Sequence, residues 1–213
     1  MTQTARFITL EGGEGAGKST QAKRLAAALE ARGIATLLTR EPGGSPGAEA
    51  IRKLLVQGER DKWDPETETL LMFAARADHV ARRVKPALEE GRWVICDRFI
   101  DSTYAYQGSG RGVPAEFIDT LGELILRGFG PDLTLILDID PDAGLARTSG
   151  RAEGAREEAR FERFGKAFHK QLRTAFRDIA AKHPERCVLI DASLPEAQVA
   201  ESIWQTVSSR YGL

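Results

Sequence analysis

Cysteine is scarce in this chain. Cys96 and Cys187 are the only two among 213 residues, and both lie in apolar, strand-like runs. Two such residues cannot make a disulfide framework and are expected to pack in the core of a protein from a reducing compartment. Histidine is also rare, and His79, His169 and His183 show no metal-ligand spacing. No apolar run approaches the ~18 residues of a membrane span. The opening MTQTAR lacks the apolar core of a signal peptide. Charge of neither sign is in excess, with 30 basic against 31 acidic residues, so bulk charge offers nothing to a nucleic acid. Repeats and low-complexity segments are missing as well. What remains is one domain over 1–213, expected to be soluble and cytoplasmic, with neither nucleic acid nor membrane as a partner.

The most informative stretch is FITLEGGEGAGKSTQ, residues 7–21. It reads as a buried strand, a glycine-rich turn and the start of a helix. Within it, Gly12, Gly13, Glu14, Gly15, Ala16, Gly17, Lys18 and Ser19 form G-x-x-x-x-G-K-S. Glycines let successive N–H groups turn inward around an anion, and the following helix adds its positive end. Lys18 can reach the terminal phosphates of a nucleotide, and the Ser19 hydroxyl is placed for Mg²⁺. A nucleoside triphosphate site follows from this spacing.

Further apolar runs start at Ile34, Trp93, Leu133 and Cys187, and helical patterns separate them. Five short strands alternating with helices predict a parallel sheet covered on both faces. Asp64-Pro65 is expected to cap a long helix whose buried stripe is Leu70, Ala74, Ala77, Ala81, Val84 and Leu88. Ser193 to Glu196 reads as a capping box for the last helix. Ligands of such a sheet sit outside the carboxyl ends of its strands. That rule gathers Gly12–Ser19, Arg40–Gly44, Asp97–Arg98 and Asp138–Pro141 on one rim.

The rim residues suggest chemistry. Asp97 ends an apolar strand, where a carboxylate can support Mg²⁺ through bound water. Arg98 and Arg40 offer guanidinium forks suited to phosphate oxygens. With Lys18 they exceed the needs of one triphosphate and suggest a phosphorylated acceptor. Phe73 and Arg76, on one helix flank, pair a flat apolar face with a donor fork, which a nucleobase requires. Arg156, Arg160 and Arg163 fall on one side of a helical wheel, and Glu158 and Glu162 on the other. A basic stripe of this kind is expected to belong to a mobile lid, about 147–163, that closes over polyphosphate.

Taken together, EGGEGAGKST at 11–20, TREPGG at 39–44, MFAARADH at 72–79, DRFIDSTYAYQGSGRG at 97–112, LDIDPDAGLAR at 137–147 and RFER at 160–163 resemble thymidylate kinases. The resemblance spans nearly the whole chain. It implies a nucleoside-monophosphate-kinase-like, three-layer P-loop fold and transfer of the γ-phosphoryl group of Mg-ATP to dTMP, giving dTDP in dTTP biosynthesis. On the family pattern, Gly12 to Ser19 bind ATP phosphates and Glu14 lies near the sugar 3′-hydroxyl of dTMP. Arg98 grips the dTMP phosphate with help from Arg40. Phe73 stacks on thymine and Arg76 bonds its edge. Ser102, Thr103 and Gln107 line the base pocket, while Tyr106 crowds out a 2′-hydroxyl. Gly15 stands where some members carry a loop arginine, so the catalytic arginine is sought in the lid, at Arg151, Arg156 or Arg160. A homodimer is implied by the resemblance alone. Three alternatives stay open: a deoxynucleoside kinase, in which Glu41 would act as general base, another nucleoside monophosphate kinase, and a nucleotide-dependent switch, although N-K-x-D is absent.

Overall fold

The computed structural model describes residues 4–148 and 160–213. Its centre is β1 (Phe7–Gly12), buried at all six positions. A strand can be buried throughout only when helices cover both faces of its sheet. The sheet order is β2 (Thr36–Arg40), β3 (Trp93–Asp97), β1, β4 (Leu133–Asp138), β5 (Cys187–Asp191). All pairings are parallel, with Phe7 opposite Val94 and Ile8 opposite Leu133. The five expected strands are therefore present, and their carboxyl ends share one rim.

Alternation along β1 divides the core. Ile8 and Leu10 pack with Leu25 and Leu29 of α1 (Lys18–Glu30) and with Val199, Ile203 and Val207 of α8 (Glu196–Tyr211). Phe7 turns the other way, towards Val94, Cys96 and Phe99. There it meets Val80 and Val84, where α3 (Pro65–His79) runs on through a wider turn, and Leu126 of α5 (Ala115–Leu126). A third cluster joins Ile136 and Cys187 to Phe168, Leu172 and Phe176 of α7 (Lys166–Lys182). Each fully buried Leu or Ile in these clusters contributes about 2 kcal/mol. Both cysteines are free and buried, as their apolar surroundings predict.

Local signals place several helix ends. Ser45 caps α2 (Pro46–Val56), and Asp64 Oδ1 accepts from Glu66 N and Thr67 N, both at 3.1 Å, to start α3. The capping box at Ser193 is not formed. The Ser193 hydroxyl is bonded to Asp191 instead, and α8 starts at Glu196 with no side-chain cap.

The expected buried stripe of α3 also needs correction. Leu70 is 49% exposed, and Ala74 and Ala81 face outward too. Glu68, Thr69, Phe73, Arg76 and His79 are buried in their place. Hydropathy alone misorients this helix because the buried charges satisfy one another. Glu41 accepts from Arg76 Nε at 2.8 Å and pairs with His79 Nδ1 at 2.9 Å. The inner face of α3 is thus polar by construction, and it borders the site.

Candidate active site

The loop between β1 and α1 has positive φ at Gly12, Gly15 and Gly17. These angles fold the chain back over the start of α1, whose first turn carries no side-chain cap. Its N–H groups are therefore available to an anion. Lys18 Nζ donates to Gly13 O at 2.8 Å. Burial, and then the nearby charge of Arg98, pull the Lys18 ammonium down to about 8. The Ser19 hydroxyl is bonded to Asp97 Oδ2, so the predicted metal pair is adjacent. A hydroxyl and a carboxylate are hard oxygen donors that fit Mg²⁺. Among the described residues no group of three His, Cys, Asp or Glu could hold a metal, so phosphate and water must complete such a site.

Arg98 follows β3 with φ of 73°, a left-handed angle that costs a non-glycine residue energy. The angle turns its guanidinium back towards the loop. Nη1 donates to Gly12 O at 3.0 Å and Ser102 Oγ at 3.1 Å. Nη2 donates to Glu14 Oε1 and Tyr106 Oη, both at 2.9 Å. Burial opposes the charge, but Tyr106, Glu14 and Asp97 surround it and hold the guanidinium above its ordinary value. Tyr106 Oη donates to Glu14 Oε1 at 2.8 Å, and burial pushes its phenol well up.

Beneath Arg98 lies Glu11, a residue the sequence reading passes over. Fully buried at the end of β1, it accepts from Phe99 N at 2.7 Å, Ser102 N at 3.2 Å and Ser102 Oγ at 2.6 Å. These bonds tie the Arg98 turn and the short helix α4 (Ile100–Thr103) to the central strand. Asp101 is locked from the other side by Arg186, at 2.7 and 2.9 Å. Burial, and then the Asp101 charge, raise the Glu11 carboxyl to about 7. A lone charged residue in an otherwise uncharged strand, FITLEG, is the signal that could have found it.

Beside Arg98 opens a cavity of about 160 Å³, lined by Met72, Arg76, Phe99, Thr103 and Gln107 among others. Glu14 and Arg98 line both this cavity and a second, polar hollow shared by Lys18, Ser19, Arg40 and Asp97. Arg98 therefore stands where the two hollows meet. Arg40 is exposed and pairs with Glu49 at 3.2 Å. Inside the cavity Arg76 is almost fully engaged. Nε meets Glu41, and Nη2 donates to Phe99 O and Thr103 Oγ1, both at 3.1 Å, but Nη1 has no hydrogen-bond partner among the described residues. A buried, unsatisfied donor in a cavity wall marks a place for a ligand acceptor.

Two expectations are not met. Phe73 is not brought to the cavity; it is 1% exposed and packs against Val113 and Ile118. One residue earlier, hence about 100° round the helix, Met72 lines the wall instead. Arg160 does not reach the phosphate hollow. It is fully buried and donates to Leu55 O at 3.2 Å, Glu59 O at 3.0 Å, Arg60 O at 2.7 Å and Glu68 Oε2 at 2.5 Å. With four of its five N–H donors on these acceptors, Arg160 acts as a staple between the turn Arg160–Arg163 and α2–α3. Arg151 and Arg156 lie outside the described residues, as does most of the expected lid.

On the far side of the loop, Gly15, Gly17, Gln21, Arg147 and Ser193 line an open hollow. There α6 (Pro141–Thr148) approaches so closely that Gly144 and Gly15 face each other backbone to backbone.

Known proteins resemble this chain over nearly its whole length. The thymidylate kinase family pattern matches residues 10–203. A thymidylate kinase from Caulobacter vibrioides is 54% identical over 207 residues, covering 97% of this chain and 98% of its own. One from Dinoroseobacter shibae is also 54% identical, over 95% of this chain and 96% of its own. The crystal structure of a thymidylate kinase from Ehrlichia chaffeensis superposes with a TM-score of 0.75 at 36% identity, over 95% of this chain and 98% of that one.

Proposed function

The chain belongs to the thymidylate kinase family, and from that premise we propose that it transfers the γ-phosphoryl group of ATP to dTMP, giving dTDP and ADP for dTTP synthesis. One observation carries the assignment to this site: Arg98 lies on the shared wall of the acceptor cavity and the phosphate hollow. A group bound to Arg98 from the cavity side faces the triphosphate held by Gly12–Ser19.

The attacking group is a phosphate oxygen of dTMP, already ionised near neutral pH, so the step needs charge stabilisation and alignment more than a base. Lys18 neutralises the donor phosphates. Arg98, assisted by Arg40, holds the acceptor phosphate. Ser19, and Asp97 through water, would hold Mg²⁺, which would supply positive charge to the donor phosphates. Glu14 and Tyr106 fix Arg98 and face the sugar. Met72 takes the apolar role expected of Phe73, with Arg76 Nη1 donating to the base edge and Ser102, Thr103 and Gln107 completing the pocket. Arg151 and Arg156 are left as lid arginines, since Arg160 is otherwise engaged. Glu41 accepts from Arg76 and pairs with His79. That engagement disfavours its use as the base of a nucleoside kinase.

The test is a panel of nucleoside monophosphates, with thymidine, under ATP. Turnover of dTMP is expected to exceed that of the others, and turnover of thymidine without dTMP would refute the reading. Arg98→Ala removes charge-assisted bonds worth about 1.5–3 kcal/mol. KM for dTMP should rise about 10- to 100-fold while KM for ATP stays within about threefold; an unchanged KM for dTMP removes Arg98 from the acceptor site.

The outward Leu70 and Ala74 of α3 support a homodimer through that face, and light scattering at a monomer mass would exclude it. Among the described residues no helix is long and apolar enough to cross a membrane, and a cytoplasmic location remains part of the proposal.

A further inference from the structure

Glu68 is 0% exposed, yet no part of the phosphoryl-transfer chemistry uses it. One of its oxygens, Oε2, takes Arg160 Nη1 at 2.5 Å, with Arg111 Nη1 at 3.7 Å. The other, Oε1, accepts from Gln107 Nε2 at 2.9 Å. A carboxylate clamped by guanidinium groups has only acceptors to offer. The amide of Gln107 is planar, so turning its NH₂ to Glu68 turns its carbonyl away. Gln107 lines the acceptor cavity, and its Oε1 receives no hydrogen bond among the described residues. Arg76 lines the same cavity with its unpartnered Nη1.

We infer that Glu68 sets base specificity by fixing the direction of the Gln107 amide, so that the cavity presents one acceptor, Gln107 Oε1, together with one donor, Arg76 Nη1. The inference rests on reading this cavity as the base pocket. Thymine offers the complement on adjacent atoms, N3–H as donor and O4 as acceptor. Cytosine offers the reverse, N3 as acceptor and the 4-amino group as donor, and so sets acceptor against acceptor and donor against donor. Without an acceptor-only neighbour, the two ends of the Gln107 amide differ little in energy and either could face the base. Glu68 removes that freedom, because the flipped amide would aim its oxygen at a carboxylate. It is a positioning residue acting through Gln107, held in place by the Arg160 staple.

The experiment compares dTMP with 5-methyl-dCMP, which keeps the methyl group and changes only the edge, as acceptors for the full chain with ATP. Glu68→Gln can donate to Gln107 and so permits the flip. Its selectivity for dTMP, as a ratio of kcat/KM, should fall about tenfold or more, mainly through KM for dTMP, with KM for ATP within about twofold. In Gln107→Leu the same Glu68→Gln change should leave selectivity within about twofold, since the intermediary is gone. A purely structural role would lower the melting temperature without moving selectivity, and that result overturns the inference. So does a full effect of Glu68→Gln in the Gln107→Leu background. Should Glu68→Gln fail to fold, nuclear Overhauser contacts of the Gln107 NH₂ in wild type with bound dTMP decide the matter. Contacts to the Glu68 methylenes support the inference, and contacts to the base overturn it. Failure of wild type to phosphorylate dTMP would instead refute the reading of the site itself.

Discussion

Replacing Gly15 by alanine should damage this protein more than any other single-carbon addition to its phosphate loop. Gly15 has φ of 69°, and an L side chain in that left-handed region costs about 1–2 kcal/mol. Its Cβ would stand 2.5 Å from the carbonyl carbon of Gly144 and 2.9 Å from the Gly144 Cα, and closer still to the carbonyl oxygen. Carbon contacts are comfortable at about 3.5–4 Å, so loop and α6 must part by about 1 Å. Both partners are backbone and cannot rotate away. Overpacking of this kind costs about 1–3 kcal/mol, which with the φ term makes about 2–5 kcal/mol. Gly144 is locked in return, because its own Cβ would strike the carbonyl oxygen of Glu14.

Urea unfolding of the nucleotide-free protein, followed through the buried Trp93, measures the effect. With m of about 2–3 kcal/mol/M, the midpoint of Gly15→Ala should fall by about 1–2 M. Gly13→Ala is the control: no described residue lies within 4 Å of its Cβ position and its φ is not positive, so its midpoint should stay near that of wild type. A Gly15→Ala midpoint within about 0.3 M of wild type would show that the loop does not rest on α6. The same packing explains why an arginine at this loop position is absent: there is no room for even its first carbon.

Glu11 and Arg160 give two further tests. The Glu11 carboxyl is raised from 4.5 to about 7 in the folded chain. Folding therefore binds its proton more tightly, and stability that is full below about 4.5 is lost as pH rises through about 7. Glu11→Gln should flatten the fall in denaturation midpoint across that window, and an unchanged slope would mean that another group titrates. Arg160→Met leaves Glu68 without its main countercharge, at about 3–5 kcal/mol, and should lower the melting temperature by about 10 °C. A drop in kcat at an unchanged melting temperature would instead place Arg160 at the chemistry.

The strands and the phosphate loop could be read from the chain because their causes are local: short apolar runs between helical patterns, and glycines where the backbone must turn. Arg98 could be placed by strand order alone. The inner face of α3 could not, since a period of apolar residues predicts burial only where the buried neighbours are apolar too. Here Glu41, Gln107 and Arg160 make burial favourable for Arg76, His79 and Glu68 and leave Leu70 outside. The same effect turns Phe73 into the core and Met72 to the cavity wall, a rotation of the helix by one residue. The phase of Arg160 among other arginines points to phosphate, but the folded chain pairs it elsewhere. Its partner Glu68 is 92 residues away, and no spacing rule connects the two.

Those long-range contacts also say how the site is prepared for two anions. Lys18 and Arg98 are like charges close enough for one to lower the other, and in the folded chain the Lys18 ammonium is held down to about 8. Neither cation can retreat. Lys18 is tethered to Gly13 O, and Arg98 to Gly12 O, Glu14 and Tyr106. Glu11, below, holds the turn that keeps Arg98 in its left-handed backbone state. The repulsion between the cations is thus fixed by folding, and under the proposed function phosphate groups on either side of Arg98 would relieve it. Charge placed in advance, where it cannot reorganise, is most effective when charge is shared between donor and acceptor during transfer. On this view the left-handed angle at Arg98 is part of the catalytic apparatus, since an ordinary angle there would carry the guanidinium away from the shared wall.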